Sequence, residues 1–411
     1  MARLLFAWEL GSNFGHVSRM LPVALALRAR GHEIAFALRE PPRGAVVLKP
    51  HGFAMLQAPV WLGRTGPQVA APNFAGMLQR CGYDSATSLS GLIAGWSRLY
   101  ALTRPDLVLL DHAPTAALAA RLARIPCVRL GSGWFAPPDV TPLPLTEPWR
   151  RIDPAVPAAA EAQVLAAING VMAAAGRPPL HRVTQIFALE ADVLTTFPEL
   201  DHYGARPGLR YWGPTGLPVA SAPPSWPAGD GPRVFGFVDA AYAGFDALLQ
   251  QLPTLGFPVL VYARDLPEAK ARLLSTGSVR VVTQPVDLAR TVREAALVLC
   301  HAGHGTVCEA LLAGVPLLLL PRQSEQRWLC DRVRALGAAQ MLIAAKGRSP
   351  DFAAAIRDML ARPAYAEAAG RFARRHAGHD PRMAAAAIAD ICESILRRPA
   401  TAAAAGAATG S

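Results

Sequence analysis

Lysine is almost missing from this chain of 411 residues. It occurs at Lys49, Lys270 and Lys346, and arginine supplies the other 38 of the 41 basic side chains. Charge of either sign is scarce too, at 17% of residues against 52% hydrophobic, which excludes a chain kept unfolded by self-repulsion. The 41 basic and 30 acidic residues leave a formal +11. On that number alone nucleic acid, an anionic membrane and an acidic small molecule are all conceivable partners. The arginines are scattered, however, and no basic cluster alternates with aromatics, so nucleic acid is not expected. The basic run at residues 371–376 reads as a solvated helix face. Apolar runs such as residues 315–320 fall far short of the ~20 residues of a spanning helix. Glu9 interrupts the apolar start, and no small-residue cleavage site follows it. The six cysteines show no C-x-x-C spacing, so reduced, mostly buried thiols in a cytoplasmic protein are expected. A peripheral contact with an anionic membrane stays open.

What is present is alternation. Short apolar, β-branched runs at residues 4–8, 34–38, 55–57, 107–110, 127–130 and 193–196 read as strands. A second series follows at 234–238, 259–263, 279–282, 297–300 and 317–320. Many are separated by stretches long enough for a crossover helix, which points to an α/β protein with doubly wound parallel sheets. Residues 213–232 are rich in proline and glycine and lack apolar periodicity, as a linker does. The chain is therefore divided into a domain at 1–214, a linker at 215–232, a second domain at 233–380, a terminal helix at 381–396 expected to pack back on the first domain, and a disordered tail at 397–411. Segments 59–100 and 137–181 show no clear strand pattern and read as irregular packing segments or as loops over a binding site.

Two constellations carry chemistry. In the first, Gly11 to His16 follows the first strand, and the helix after it is expected to begin close to Ser18, because Pro22 belongs near a first turn. His16 then lies at the carboxyl edge of a sheet, where doubly wound proteins bind ligands. The loop is not G-x-G-x-x-G, so a dinucleotide site is poorly supported. Asp111 ends another strand. If the two strands are neighbours, its carboxylate can take one imidazole N–H and leave the other nitrogen as a general base. Asp111 could equally serve only the start of the next helix; His112 is a weaker candidate for the same chemistry.

In the second, His301-Ala-Gly303-His304-Gly305-Thr306 joins the strand at 297–300 to a helix. Exposed amides at a helix N-terminus, with the Thr306 hydroxyl and the His301 imidazole, suit a diphosphate. Glu309, one turn further, can accept two ribose hydroxyls. Glu325 and Gln326, after the strand at 317–320, suit sugar hydroxyls. Cys300, His301, His304 and Cys308 fit no common zinc spacing, and no D-x-D pair is present for a metal-bound diphosphate.

His301, Gly303, Thr306, Glu309, Gly314-Val315-Pro316 and Glu325-Gln326 together resemble the donor-binding signature of the inverting GT-B glycosyltransferases, those that glycosylate plant metabolites, macrolides and lipids. Gly15-His16 resembles that group's catalytic histidine loop, Asp111 its partner, and Tyr211-Trp-Gly-Pro214 its lead into the linker. The resemblance implies two Rossmann-like domains facing each other across a cleft. It implies a nucleotide-sugar donor bound by the second domain and a small, hydrophobic or lipid-like acceptor bound by the first, with no metal and no cofactor. By that likeness His301, Gly305 and Thr306 meet the diphosphate, Glu309 the ribose, and Glu325 and Gln326 the hexose. Trp61, Phe74, Trp96, Trp134 and Phe135 are candidates for the acceptor wall, or ordinary core. Thr283 and Val286 stand where many members carry an aromatic and a glutamine, and Arg19 lies in the helix's first turn where many have proline nearby. A sugar-nucleotide hydrolase or epimerase, or a non-catalytic nucleotide-sugar binder, are the alternatives.

Overall fold

Strand β1 (Arg3–Trp8) shows how the first sheet is built. Leu4, Phe6 and Trp8 enter one buried cluster, while Leu5 and Ala7 enter another. A strand buried on both faces needs apolar residues at every position, which is why it reads as an unbroken run. A computed structural model describes residues 1–11, 15–63, 71–216, 221–345 and 349–398. Residues 399–411 of the expected tail, and 217–220 of the expected linker, lie outside the described residues.

After β1 come α1 (Gly15–Ala29), β2 (Glu33–Leu38), α2 (Pro41–Leu48), β3 (Ala54–Gln57), α3 (Phe74–Leu78), α4 (Ala86–Thr103), β4 (Leu107–Asp111), α5 (Pro114–Ala123), β5 (Cys127–Gly131), α6 (Ala155–Ala174) and β6 (Ala191–Leu194). The strands are parallel and ordered β3-β2-β1-β4-β5-β6. The next series is β7 (Val234–Asp239), α7 (Phe245–Gln251), β8 (Val259–Arg264), α8 (Glu268–Leu274), β9 (Val279–Val282), α9 (Leu288–Glu294), β10 (Leu297–Cys300), α10 (His304–Leu312), β11 (Leu317–Leu319), α11 (Ser324–Ala335) and β12 (Ala339–Met341). Helices α12 (Phe352–Ala361), α13 (Pro363–Arg375) and α14 (Pro381–Leu396) close the described chain. The second sheet is ordered β12-β11-β10-β7-β8-β9. Each sheet thus reverses direction between its first and fourth strands, the doubly wound order with its binding edge at the reversal.

The chain divides into two compact units. One holds Met1–Phe197, Arg206–Leu217 and Asp380–Ser411, the other Pro198–Ala205 and Pro218–His379. Pro198–Ala205 therefore groups with the second unit although sequence order places it in the first. It is anchored there by ion pairs of Glu199 with Arg375 and His376. Helix α14 belongs to the first unit.

Three expectations need correction. Helix α1 begins at Gly15 rather than near Ser18, and Pro22 lies inside it. The missing Pro22 N–H costs one bond, but a buried face from Val17 to Leu27 outweighs that loss. Segment 59–100 carries α3 and the start of α4, and 137–181 carries α6. The bounds of these helices were not read because small residues blur the periodicity; α6 has alanine on both its buried and exposed faces. Strand β12 is only three residues long and was not anticipated.

Helix α14 contributes Ala385, Ile388, Ala389, Cys392 and Ile395 to the cluster that also contains Val17, Met20 and Leu27 of α1. Arg30 links the same two elements through Asp390 and Glu393 at the surface. Ile388→Ala should therefore destabilise the first unit by about 2–5 kcal/mol, the range for a buried large-to-small change. Arg30→Ala should cost under about 1 kcal/mol. Urea unfolding of both variants checks the ranking.

Candidate active site

The alternation along β4 aims the first constellation. Leu107 and Leu109 lie in the cluster that packs on α1, so the next residue on that face is Asp111. The parallel register sets Asp111 opposite Trp8 of β1. Because α1 starts at Gly15, His16 falls in its first turn and Arg19 one turn further along the same face. His16 Nδ1 lies 3.0 Å from Asp111 Oδ1, and Arg19 Nη1 donates to Asp111 Oδ2 at 2.7 Å. The carboxylate is fully buried. Burial opposes its ionisation, but the Arg19 and His16 charges and the His16 hydrogen bond together prevail and hold the carboxyl below its usual range.

An ionised Asp111 only accepts, so His16 donates Nδ1–H and Nε2 carries the lone pair. The ring stacks on Trp8 at 5.1 Å between centroids. Nε2 faces Gly11. A Cβ there would stand 2.6 Å from Nε2, and Gly11 has φ +84°, so glycine is required twice over. Loop residues 12–14 between them lie outside the described residues.

His112 follows Asp111 with a left-handed φ of +49°. Among the described residues neither of its ring nitrogens has a hydrogen-bond partner within bonding geometry, and the ring stacks on Phe135 at 3.8 Å. Burial, reinforced by the neighbouring His16, pushes its pKa well down and keeps it neutral. Phe135 also lies 5.3 Å from the His16 ring, so this aromatic belongs to the site. Trp134 is buried in the same short turn after β5. Phe74 packs on Phe187 and Trp96 on Tyr100 within the core, and Trp61 lies against Gly82.

Sequence reasoning missed two groups here. Arg19 was noted only as a departure from a pattern. Glu9 was noted only as an interruption, yet it points to the opposite face from Trp8 and caps α5. Its Oε2 accepts from Thr115 N–H at 2.9 Å and Ala116 N–H at 3.2 Å, and its Oε1 meets the Thr115 hydroxyl. Asp111 does not make this cap. Strand parity was the signal that could have found it, since residue 9 continues the series 5, 7.

In the second unit His301 follows β10, but both of its ring nitrogens are engaged. Nδ1–H donates to the Leu320 carbonyl at 2.7 Å, and Nε2 accepts from Asp239 N–H at 3.0 Å. Burial leads in pushing its pKa down, so the ring is neutral. In this arrangement it has no N–H left for a phosphate; it ties the ends of β7, β10 and β11 together. The candidate anion donors are instead the first-turn amides of α10, which have no intrahelical acceptors. Gly303 and Gly305 are exposed, with open space where a Cβ would stand, and Thr306 is buried beside them. Glu309 is half-buried, and burial raises its pKa. Gln326 Oε1 accepts from Arg322 N–H at 2.7 Å, and Glu325 accepts from the Gln323 amide at 3.2 Å. Asp239 Oδ2 holds Arg264 and Arg322, each at 2.5 Å. Burial opposes that ionisation as well, but the two arginines and Ala241 N–H bring the Asp239 carboxyl down to about 2.

Residues 264–378 match the glycosyltransferase family 28 C-terminal domain. A PGL/p-HBAD biosynthesis glycosyltransferase of Mycobacterium tuberculosis is 25% identical over 393 residues, 90% of this chain and 88% of that protein. A UDP-N-acetylglucosamine–N-acetylmuramyl-(pentapeptide) pyrophosphoryl-undecaprenol N-acetylglucosamine transferase of Stutzerimonas stutzeri is 36% identical over 110 residues, covering 26% of this chain and 30% of that one. The solved Streptomyces sp. SF2575 glycosyltransferase SsfS6 superposes with TM-score 0.65 at 22% identity, covering 96% of this chain and all of that one. Spinosyn rhamnosyltransferase SpnG does so with TM-score 0.66 at 19% identity, with the same coverage. Two doubly wound units of this kind define the GT-B fold. With the family 28 domain and the named relatives, the chain is a glycosyltransferase.

Two outcomes follow from the first unit's geometry. Gly11→Ala should leave the protein folded at a cost of about 1–3 kcal/mol in backbone strain, while transfer falls at least about tenfold because Nε2 is obstructed; steady-state turnover beside a melting curve separates the two. Burial, against the opposing Thr115 and Ala116 bonds, pushes Glu9 up to about 7. The folded carboxyl therefore keeps its proton where the unfolded one has lost it. Its contribution is complete below the unfolded value near 4.5 and fades as pH rises through 7. Glu9→Gln should flatten that fall, of order 3 kcal/mol, in unfolding measured across the interval. Parallel curves for the two proteins would exclude it.

Proposed function

We propose that the chain is an inverting, metal-independent hexosyltransferase that moves a sugar from a nucleoside diphosphate donor to a hydroxyl of a small, apolar acceptor. The observation that carries this reading is the His16 ring, fixed by Asp111 at Nδ1 with Nε2 turned to the glycine at the end of β1. Nε2 takes the proton of the acceptor hydroxyl as that oxygen attacks the anomeric carbon, and Asp111 stabilises the imidazolium that forms. The carbon–oxygen bond to the diphosphate breaks on the opposite face. The first-turn amides of α10, with Thr306, stabilise the charge that collects on the leaving group, which a helix N-terminus does without a cation. Glu309 accepts from the ribose hydroxyls, and Glu325 and Gln326 contact the hexose.

Relatives named as rhamnosyltransferases, and neighbours solved with thymidine diphosphate, support a deoxyhexose on a nucleoside diphosphate as the first donor to try. The aromatic group of Trp8, His16, His112 and Phe135 supports a flat or apolar acceptor. The enzyme needs no cofactor in this reading and works in the cytoplasm.

His16→Ala should lower turnover by about 10²–10⁴ with donor affinity unchanged, read by diphosphate release and by calorimetric titration of the donor. Near-wild-type turnover would remove the base from His16. Diphosphate release from donor alone, equally fast with and without acceptors, would favour a hydrolase.

A further inference from the structure

Arg19 is the feature of the first unit that the reading above leaves without a task. Its side chain is 11% exposed and reaches a carboxylate that is wholly buried. The two oxygens of Asp111 are divided, Oδ1 to His16 and Oδ2 to Arg19. Both partners stand on α1 three residues apart, so one helix delivers both hydrogen-bond donors to one carboxylate. The backbone of Arg19 is pinned as well, since its carbonyl accepts from the buried Thr215 hydroxyl at 2.8 Å.

We propose that Arg19 is a positioning residue for the transfer, holding the outer oxygen of Asp111 so that the carboxylate meets His16 in one orientation and as a permanent anion.

The physical argument has two parts. A carboxylate bonded at one oxygen can turn about its Cβ–Cγ bond; bonded at both, it cannot, and the imidazole plane is fixed with it. Arginine also stays charged under all conditions, so its field on His16 opposes that of Asp111. The aspartate draws a proton onto the imidazole, and the arginine moderates that pull. The other groups facing His16 do not supply this balance. His112, from the end of β4, is neutral; Trp8, from β1, and Phe135, from the turn after β5, are uncharged. Arg39, at the end of β2, is charged and acts on His112 and Glu9. Among the described residues Arg19 is the cation bonded to the His16 partner.

This inference rests on His16 being the general base, and the test keeps the two apart. The His16 ring is titrated by NMR in the wild-type enzyme, in Arg19→Gln and in Arg19→Lys, and the pH dependence of kcat/KM is measured on the same samples. Arg19→Gln removes the charge and frees one oxygen of Asp111, so the His16 midpoint should move measurably and carry the acid limb of kcat/KM with it. Arg19→Lys keeps the charge and should hold both near their wild-type positions. An unmoved His16 midpoint in Arg19→Gln, or a shift equally large in Arg19→Lys, would overturn the assignment. A midpoint that moves while the kinetic limb stays fixed would uphold the coupling and overturn the base role of His16.

Discussion

A carboxylate with no solvent exposure survives as an anion only if its surroundings replace water, and Asp111 shows what that requires. Burial alone would neutralise it. Two partners from α1 reverse the outcome, and each depends on something earlier in the fold. The register of β4 on β1 brings Asp111 level with Trp8, the parity of β4 turns it toward α1, and the start of α1 at Gly15 brings His16 and Arg19 within reach. Starting the helix three residues later would put neither side chain on its present turn. The glycine at the end of β1 then decides which His16 nitrogen is left accessible.

The second unit uses the same positions for the opposite purpose. In both sheets the reaction edge lies between the first and fourth strands, and in both a histidine and an aspartate meet there. In the first unit the aspartate ends the fourth strand and the histidine follows the first, and one imidazole nitrogen stays unbonded. In the second the aspartate ends the first strand and the histidine follows the fourth, and both nitrogens are bonded to backbone. A base needs a lone pair to spare; a brace does not. The His301 ring fixes the loop that opens α10, whose first-turn amides have no intrahelical acceptors. Strand-edge equivalence is therefore a poor guide to role unless the second ring nitrogen is followed to its partner.

Much of this was legible in the sequence, and for identifiable reasons. The strands are mostly short apolar runs, so eleven of them could be read to within two residues at either end; three-residue β12 left too short a signal. The His16–Asp111 pair was legible because Asp111 ends a strand and His16 opens the helix that follows one, so both stand at the carboxyl edge of the sheet. Arg19 and Glu9 were not, because their partners depend on where a helix begins and which face a strand presents. A rule about proline misplaced the start of α1, since it weighs one lost hydrogen bond and ignores a buried helix face. The bounds of the helices in 59–100 and 137–181 were blurred by small residues that carry little contrast between inside and outside. The aromatic candidates were separable only in three dimensions: Phe135 stands on the His16–His112 stack, while Phe74 fills core.

The near-absence of lysine is a structural fact as well as a compositional one. Arg129 forks onto Asp192 across β5 and β6, and Arg182 forks onto Asp139. Arg206 donates to the carbonyls of Ala136 and Gly133, closing the turn that carries Trp134 and Phe135. A planar guanidinium makes two directed bonds where an ammonium offers a point charge, so arginine can staple loops that lysine could only attract. The cations at the two reaction edges follow the same logic. Arg19 is bound to Asp111, and Arg264 and Arg322 are bound to Asp239. These pairs act at short range, and that of Asp111 lies where solvent screens little. The +11 of the whole chain is spread over a screened surface and has little bearing on it.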